Sequence, residues 1–282
     1  MSLDFGDVLE SAILAYGPLC VGIDPHAFLL ADWGLPDSAA GAREFGLRVV
    51  DAAAESAGIV KPQVAFFERH GSAGYAALEA VLTAARSAGL IVIADVKRGD
   101  VGTSVGAYGE AWLTPGSPLE ADAMTISAFQ GVGSIADVLQ LAADSGKGAF
   151  VLAATSNPEA AAIQQAKLAD GRTVARAIID EVSAFNATVD GATIGPIGVV
   201  LGATLDLADF GIDTGQAFFP KVPVLAPGFG HQGARLADAA AIYGSLARFA
   251  IVSESRSILA AGPQGIGAAV AERAAEIRAA LG

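Results

Sequence analysis

A closed (β/α)8 barrel is the fold this sequence predicts, and three observations predict it. Eight short apolar runs punctuate the chain, at 18–24, 58–63, 90–97, 121–127, 148–154, 197–202, 222–226 and 249–253. Each is apolar along its length rather than alternating, as strands of a parallel sheet covered on both faces are. Amphipathic or alanine-rich stretches separate them, and 282 residues is a sufficient length for eight strand–helix units. An open doubly wound sheet is the competing architecture, but no Gly-x-Gly-x-x-Gly follows the first run.

The intervening helices are legible in order. One spans 38–57 after the turn Leu35-Pro36-Asp37. A second spans 71–88, with Tyr75, Leu78, Val81 and Leu82 at helical spacing. The stretch 158–189 is long enough for more than one helix, and a last helix begins after Gly265 and ends near Leu281. Two connections, 26–36 and 114–120, read as enlarged loops, with dimer contacts as one purpose for them. No repeat, low-complexity tract or Pro/Ser-rich linker divides the chain, so residues 1–282 read as a single domain.

Composition narrows the function classes. Hydrophobic content is 53% and mean hydropathy +0.50, much of it alanine, yet no apolar run reaches membrane-spanning length. The N-terminal stretch Met1 to Asp7 is acidic and lacks the basic-then-apolar order of a signal peptide, so a cytoplasmic enzyme is expected. A net charge of −13 argues against nucleic acid as a partner. It does not forbid a small anion held by a local cluster of donors. Cys20, the single cysteine, sits among apolar residues, where packing is the ordinary role. His26, His70 and His231 show no metal-ligand spacing, so no metal is expected.

In a barrel of this kind chemistry gathers where strands end. The third run ends in Asp95-Val96-Lys97-Arg98-Gly99-Asp100. The side-chain period of two puts Asp95 and Lys97 on one face, and charges there are costly unless they meet each other or a ligand. Lys61, inside the second run, needs a partner, and Asp95 is its natural one. Two lysines and two aspartates can hold each other charged, and a fixed ammonium can stabilise and then protonate a carbanion. The seventh run ends in Pro227-Gly228-Phe229-Gly230-His231-Gln232-Gly233 and the eighth in Ser255-Arg256-Ser257. Glycines that admit backbone N–H groups, with an arginine one loop later, favour a phosphate site over a plain turn. Asp24 reads equally as a turn or cap aspartate and as an acceptor for a sugar hydroxyl. Thr155 and Ser156 offer donors to a ligand or an N-cap to the helix after Pro158. Phe66 and Phe67 read as core, and His70 as a loop histidine.

Together these motifs resemble the orotidine 5'-phosphate decarboxylase family along nearly the whole chain. The likeness rests on Val21-Gly22-Ile23-Asp24, Lys61-Pro62-Gln63 through Glu68, Asp95 to Asp100, Thr155-Ser156-Asn157-Pro158, Ala226 to Gly233 and Ser255-Arg256-Ser257. Their forms are similar to the longer bacterial branch familiar from mycobacteria and related actinobacteria. The resemblance implies a TIM barrel of the ribulose-phosphate-binding type, a homodimer, and no cofactor. It implies decarboxylation of orotidine 5'-phosphate to uridine 5'-phosphate, with Lys97 protonating C6 and Lys61, Asp95 and Asp100 completing the charge array. Asp100 would reach the partner's site. Asp24 would contact ribose, Ser156 the pyrimidine, and Gly230, Gln232 and Arg256 the phosphate. Thr103 or Ser104 would touch the neighbouring ribose. The segment after Gly228, with Ser156 to Pro158, would form the lid. Two rivals stand beside this reading. One is a metal-dependent β-keto sugar-phosphate decarboxylase or aldol-type synthase of the same superfamily, against which Lys61 argues. The other is a non-catalytic barrel that binds phosphosugars or nucleotides.

Overall fold

In the computed structural model, which describes residues 4–281, the eight apolar runs pair in parallel and close into a barrel in chain order. The strands are β1 (Leu19–Ile23), β2 (Ile59–Pro62), β3 (Ile91–Arg98), β4 (Ala123–Ile126), β5 (Gly148–Ala154), β6 (Ile197–Leu201), β7 (Val224–Pro227) and β8 (Ala250–Glu254). β8 returns to β1 through Leu19↔Val252, Cys20↔Ser253 and Val21↔Glu254, so no edge remains. β2 stops at Pro62, which has no N–H to continue the ladder. Met1 to Leu3, part of the acidic N-terminal stretch, and Gly282 lie outside the described residues. Among the described residues no helix is long and apolar enough to cross a membrane.

Strand periodicity divides the core in two. Cys20, Ile59, Ile93, Ala123, Phe150, Leu225 and Ile251 belong to an inner cluster that fills the barrel. Their strand neighbours, such as Val21, Val60, Val92 and Val252, join the larger cluster under the helices. Ala39–Ala54 and Gly71–Ser87 lie where amphipathic spacing places them, with Phe45, Val49, Leu78 and Val81 buried. Ser38 is the N-cap of the first, accepting from the Gly41 N–H at 3.2 Å.

Four features differ from the sequence expectation. An N-terminal helix, Phe5–Tyr16, crosses the lower mouth of the barrel, capped by the Asp4 carboxylate on the Asp7 N–H. It drives Phe5 and Leu9 into the inner cluster, with Phe5 edge-on to Phe150 at 6.1 Å. Phe5→Ala is expected to cost about 3–5 kcal/mol, the usual result of emptying a buried aromatic site, read as a shift in denaturant midpoint.

Second, the supposed loop 26–36 contains the helix Ala27–Asp32, because Leu29 and Leu30 are buried and Trp33 donates from Nε1 to the Leu259 carbonyl at 3.0 Å. Third, the β6–β7 connection carries only a 3-10 turn, Leu207–Phe210, where a full helix belongs in a regular barrel. Fourth, the last helix starts earlier, at Gly262, since Pro263 is tolerated in a first helical turn. The loop 114–120 is tied down within the chain. Lys147 Nζ lies 2.9 Å from Glu120 and 3.1 Å from Asp122, and Arg86 meets Glu120 at 2.6 Å. Burial opposes the Glu120 charge, but the Gly116 N–H and Lys147 prevail and hold its pKa at about 2.

Candidate active site

The period of two that packs the barrel also builds its upper end. Continuing inward-facing positions by one or two steps leads from Cys20 to Asp24, from Ile59 to Lys61, and from Ile93 to Asp95 and Lys97. It leads likewise from Ala123 to Thr125, Phe150 to Leu152, and Ile251 to Ser253 and Ser255. All of these end positions line one cavity of about 280 Å3, together with Ser156, Gln232 and Arg256. An apolar barrel interior therefore turns polar where the strands run out.

Asp95 is the hub. Its Oδ2 receives Lys61 Nζ at 2.8 Å, and its Oδ1 receives Lys97 Nζ at 2.5 Å and the Thr125 hydroxyl at 2.9 Å. With its amide NH2 facing this carboxylate, Gln63 donates to Oδ2 at 3.0 Å and accepts from Lys97 at 3.3 Å. Burial alone would raise the Asp95 pKa, but the ammonium groups of Lys61 and Lys97 overcome it and hold Asp95 well below the usual carboxylate range. Burial likewise opposes the charge on Lys61, yet Asp95 and Asp24 keep its pKa above the ordinary lysine value. The two lysines differ in reach: the Lys61 side chain is 10% exposed and that of Lys97 46%. Lys97 is the ammonium more open to the cavity. Its backbone is left-handed, φ 48°, a sparsely populated region for any residue but glycine.

At the other end of the cavity stand the glycine turn after β7 and Arg256. Gly228 and Gly230 have φ of 122° and 66°, which opens the turn before the 3-10 segment Gly230–Gln232. Gly230 stands just behind the cavity wall, where an added Cβ would come within 2.6 Å of Glu254 Oε2. Glu254 is buried and is neutralised by Arg273, whose Nε donates at 2.8 Å, while the Ser257 hydroxyl donates to its other oxygen at 2.7 Å. Burial lowers the His26 pKa; Asp24 opposes that, and the charges of Arg256 and Arg69 add to it. Ser156 and Gln232 meet across the opening at 3.3 Å, joining the two segments expected to form a lid.

The Oδ1 of Asp24 is buried with no partner among the described residues, and the following helix takes no side-chain cap from it. Thr155 bonds Asn157 and Gln164 and caps nothing. Phe67 is buried, Phe66 packs on His26 with ring centroids 4.2 Å apart, and His70 faces Asp37 at 3.9 Å, away from the cavity. Cys20 lies beneath Lys61, where burial pushes its thiol up to about 12. Asp100, Thr103 and Ser104 do not line this cavity, and the Asp100 carboxylate accepts from the Val101 N–H at 2.9 Å. Thr125, Gln63 and Glu254 are polar groups to which motif reading gave no role, although Gln63 stands in the Lys61-Pro62-Gln63 motif. For the first two the signal was present, as continuations of inward-facing strand positions. Among the described residues no three His, Cys, Asp or Glu side chains gather as a metal-ligand cluster.

The chain matches the family model described as Orotidine 5'-phosphate decarboxylase / HUMPS family over residues 17–271. It is 48% identical over 279 residues to an orotidine 5'-phosphate decarboxylase of Salinispora arenicola, covering 98% of both chains. It is 45% identical to one of Corynebacterium glutamicum, over 93% of this chain and 92% of the other. A Streptomyces avermitilis crystal structure, provisionally named as the same enzyme, superposes with TM-score 0.92 at 46% identity, covering 100% and 97% of the two chains. The OMP decarboxylase of Leishmania donovani superposes with TM-score 0.79 at 29% identity, over 99% of each. By barrel, strand-end residues and near-complete coverage, this chain belongs to the orotidine 5'-phosphate decarboxylase / HUMPS family.

Proposed function

We propose that this protein decarboxylates orotidine 5'-phosphate to uridine 5'-phosphate, the closing step of pyrimidine nucleotide synthesis, as a cytoplasmic homodimer needing no metal or organic cofactor. The observation that carries the reading is the Lys97 ammonium, held 2.5 Å from Asp95 in a cavity whose far end is the Gly228 turn and Arg256. In the proposed step the bond from C6 to the carboxylate carbon breaks, its electron pair stays on C6, and CO2 leaves. A proton moves from Lys97 Nζ to C6, and the resulting amine is reprotonated from solvent. The ammonium stabilises the carbanion as it forms, in a site where no reorganisation is needed. The Asp95 charge beside the substrate carboxylate disfavours the bound anion and not neutral CO2. Leu152, Val200 and Leu225 supply the apolar lining that suits CO2.

Asp24, on the cavity wall, accepts from ribose, and Ser156 bonds the pyrimidine. The Gly230 N–H, Gln232 and Arg256 hold the phosphate. That remote binding energy closes the Gly228 and Ser156 segments over the site. Asp100 serves the partner's cavity, with Thr103 or Ser104 beside the partner's ribose. Supporting this, Asp100 stands outside its own cavity, and the loops after β3 and β4 expose Val101 at 53% and Phe129 at 75%, an apolar rim suited to a second copy.

Loss of orotidylate ultraviolet absorbance, with and without chelator, tests the function, and turnover indifferent to chelator is expected. Magnesium-dependent activity on a hexulose phosphate would transfer the chain to the sugar-phosphate decarboxylases. Binding of uridine 5'-phosphate without CO2 release would make it a binding module. Arg256→Ala is expected to lower kcat/KM for orotidylate about 100-fold, the worth of lost charge-assisted bonds. Orotidine lacking phosphate should be turned over about equally by both proteins; a parallel loss on it would remove Arg256 from the phosphate role.

A further inference from the structure

We propose that Thr125 is a positioning residue for the proton donor, its one hydroxyl fixing both the backbone of Lys97 and the carboxylate toward which Lys97 is aimed. The inference rests on the reading that Lys97 protonates C6. The register of the sheet sets the geometry. β3 and β4 pair as Ile93↔Ala123 and Ala94↔Met124, and the next partners are Arg98↔Ile126. Four residues of β3 advance against two of β4, so Asp95, Val96 and Lys97 face Thr125 alone. The ladder is interrupted at Lys97, and the left-handed turn of its backbone falls at this bulge.

Thr125 repairs the interruption with its side chain. The Lys97 N–H donates to Thr125 Oγ1 at 3.0 Å, and the same hydroxyl donates to Asp95 Oδ1 at 2.9 Å. A threonine hydroxyl has one proton and two lone pairs, so both bonds are made at once. Asp95 Oδ1 also receives Lys97 Nζ at 2.5 Å, which closes a ring from the Lys97 backbone through Thr125 and Asp95 to its own ammonium. The following residue is anchored separately: the Arg98 carbonyl accepts from the Ser127 N–H at 2.7 Å, and its guanidinium bonds Glu68 at 2.8 Å. Thr125 is 1% exposed, so nothing in solvent substitutes for its hydroxyl. A left-handed non-glycine backbone persists only where its surroundings over-determine it, and the Thr125 bond is the one made to the Lys97 N–H itself.

Thr125→Val keeps the β-branched shape and removes the hydroxyl. It should lower kcat about 100-fold, the scale of a misplaced reacting group, with KM and uridine 5'-phosphate affinity unchanged to within about threefold. Exchange of the C6 hydrogen of uridine 5'-phosphate for deuterium in D2O should fall in parallel, because it reads the placement of Lys97 at C6 without CO2 loss. Thr125→Ser should stay within about threefold of wild type on every readout, since the hydroxyl remains. Should the valine variant fail to fold, Thr125→Ala against Thr125→Ser isolates the same hydroxyl, and only the alanine variant should lose kcat. Wild-type turnover in the valine or alanine variant, or equal losses in the serine variant, overturns the inference while leaving the function intact. Absence of CO2 release by the unaltered protein overturns the functional reading and this inference with it.

Discussion

Lys97→Ala is expected to abolish decarboxylation, lowering kcat by at least about 10⁴-fold, while the barrel stays folded. The magnitude combines a lost general acid, about 10²–10⁴-fold, with a lost preorganised cation, about 10²–10³-fold. Folding is spared because the side chain projects into the cavity rather than the core, at 46% exposure. Its removal also strands no buried charge: Asp95 keeps Lys61 at 2.8 Å and Thr125 at 2.9 Å. Absorbance assays at saturating orotidylate, paired with thermal melts by circular dichroism, separate the two effects. Turnover like that of the wild type would remove Lys97 as proton donor. A collapse of the fold would recast the array as structural.

The second large effect concerns assembly. Lys97→Ala and Asp100→Ala proteins should each be nearly inactive alone, and mixing them should restore activity. In a mixed dimer one cavity combines an intact Lys97 with an intact Asp100 from the other chain, and the second cavity lacks both. Random exchange of equal amounts makes half the dimers mixed, so about a quarter of wild-type activity is expected. The physical motive is charge. Within one chain the cavity holds two ammonium groups against Asp95, with Asp24 further along the wall, and Asp100 is turned to the Val101 N–H outside it. If confirmed subunit exchange restores nothing, Asp100 does not act in the partner's cavity.

The eight strands were legible because each is buried on both faces, which writes a continuous apolar run into the sequence. The charged end of β3 and Lys61 in β2 were legible for the opposite reason: ionic groups inside apolar runs demand partners. Helices with one apolar stripe, such as Gly71–Ser87, could be read by spacing alone. Phe5–Tyr16 could not, since its apolar residues find their place only once a barrel exists to be closed from below. The loop 114–120 showed the same dependence. Its length was visible, but its anchoring to Lys147 joins residues 27 positions apart.

The sequence by itself determined the fold class, the strand ends, and which residue types meet at the top of the barrel, because periodicity and the cost of buried charge are local properties. Only the tertiary structure decided how those residues are held. The left-handed turn at Lys97 and the bulge that sets Thr125 opposite it both depend on strand register. Register is a relation between neighbouring chains of backbone, and a single strand read alone does not contain it.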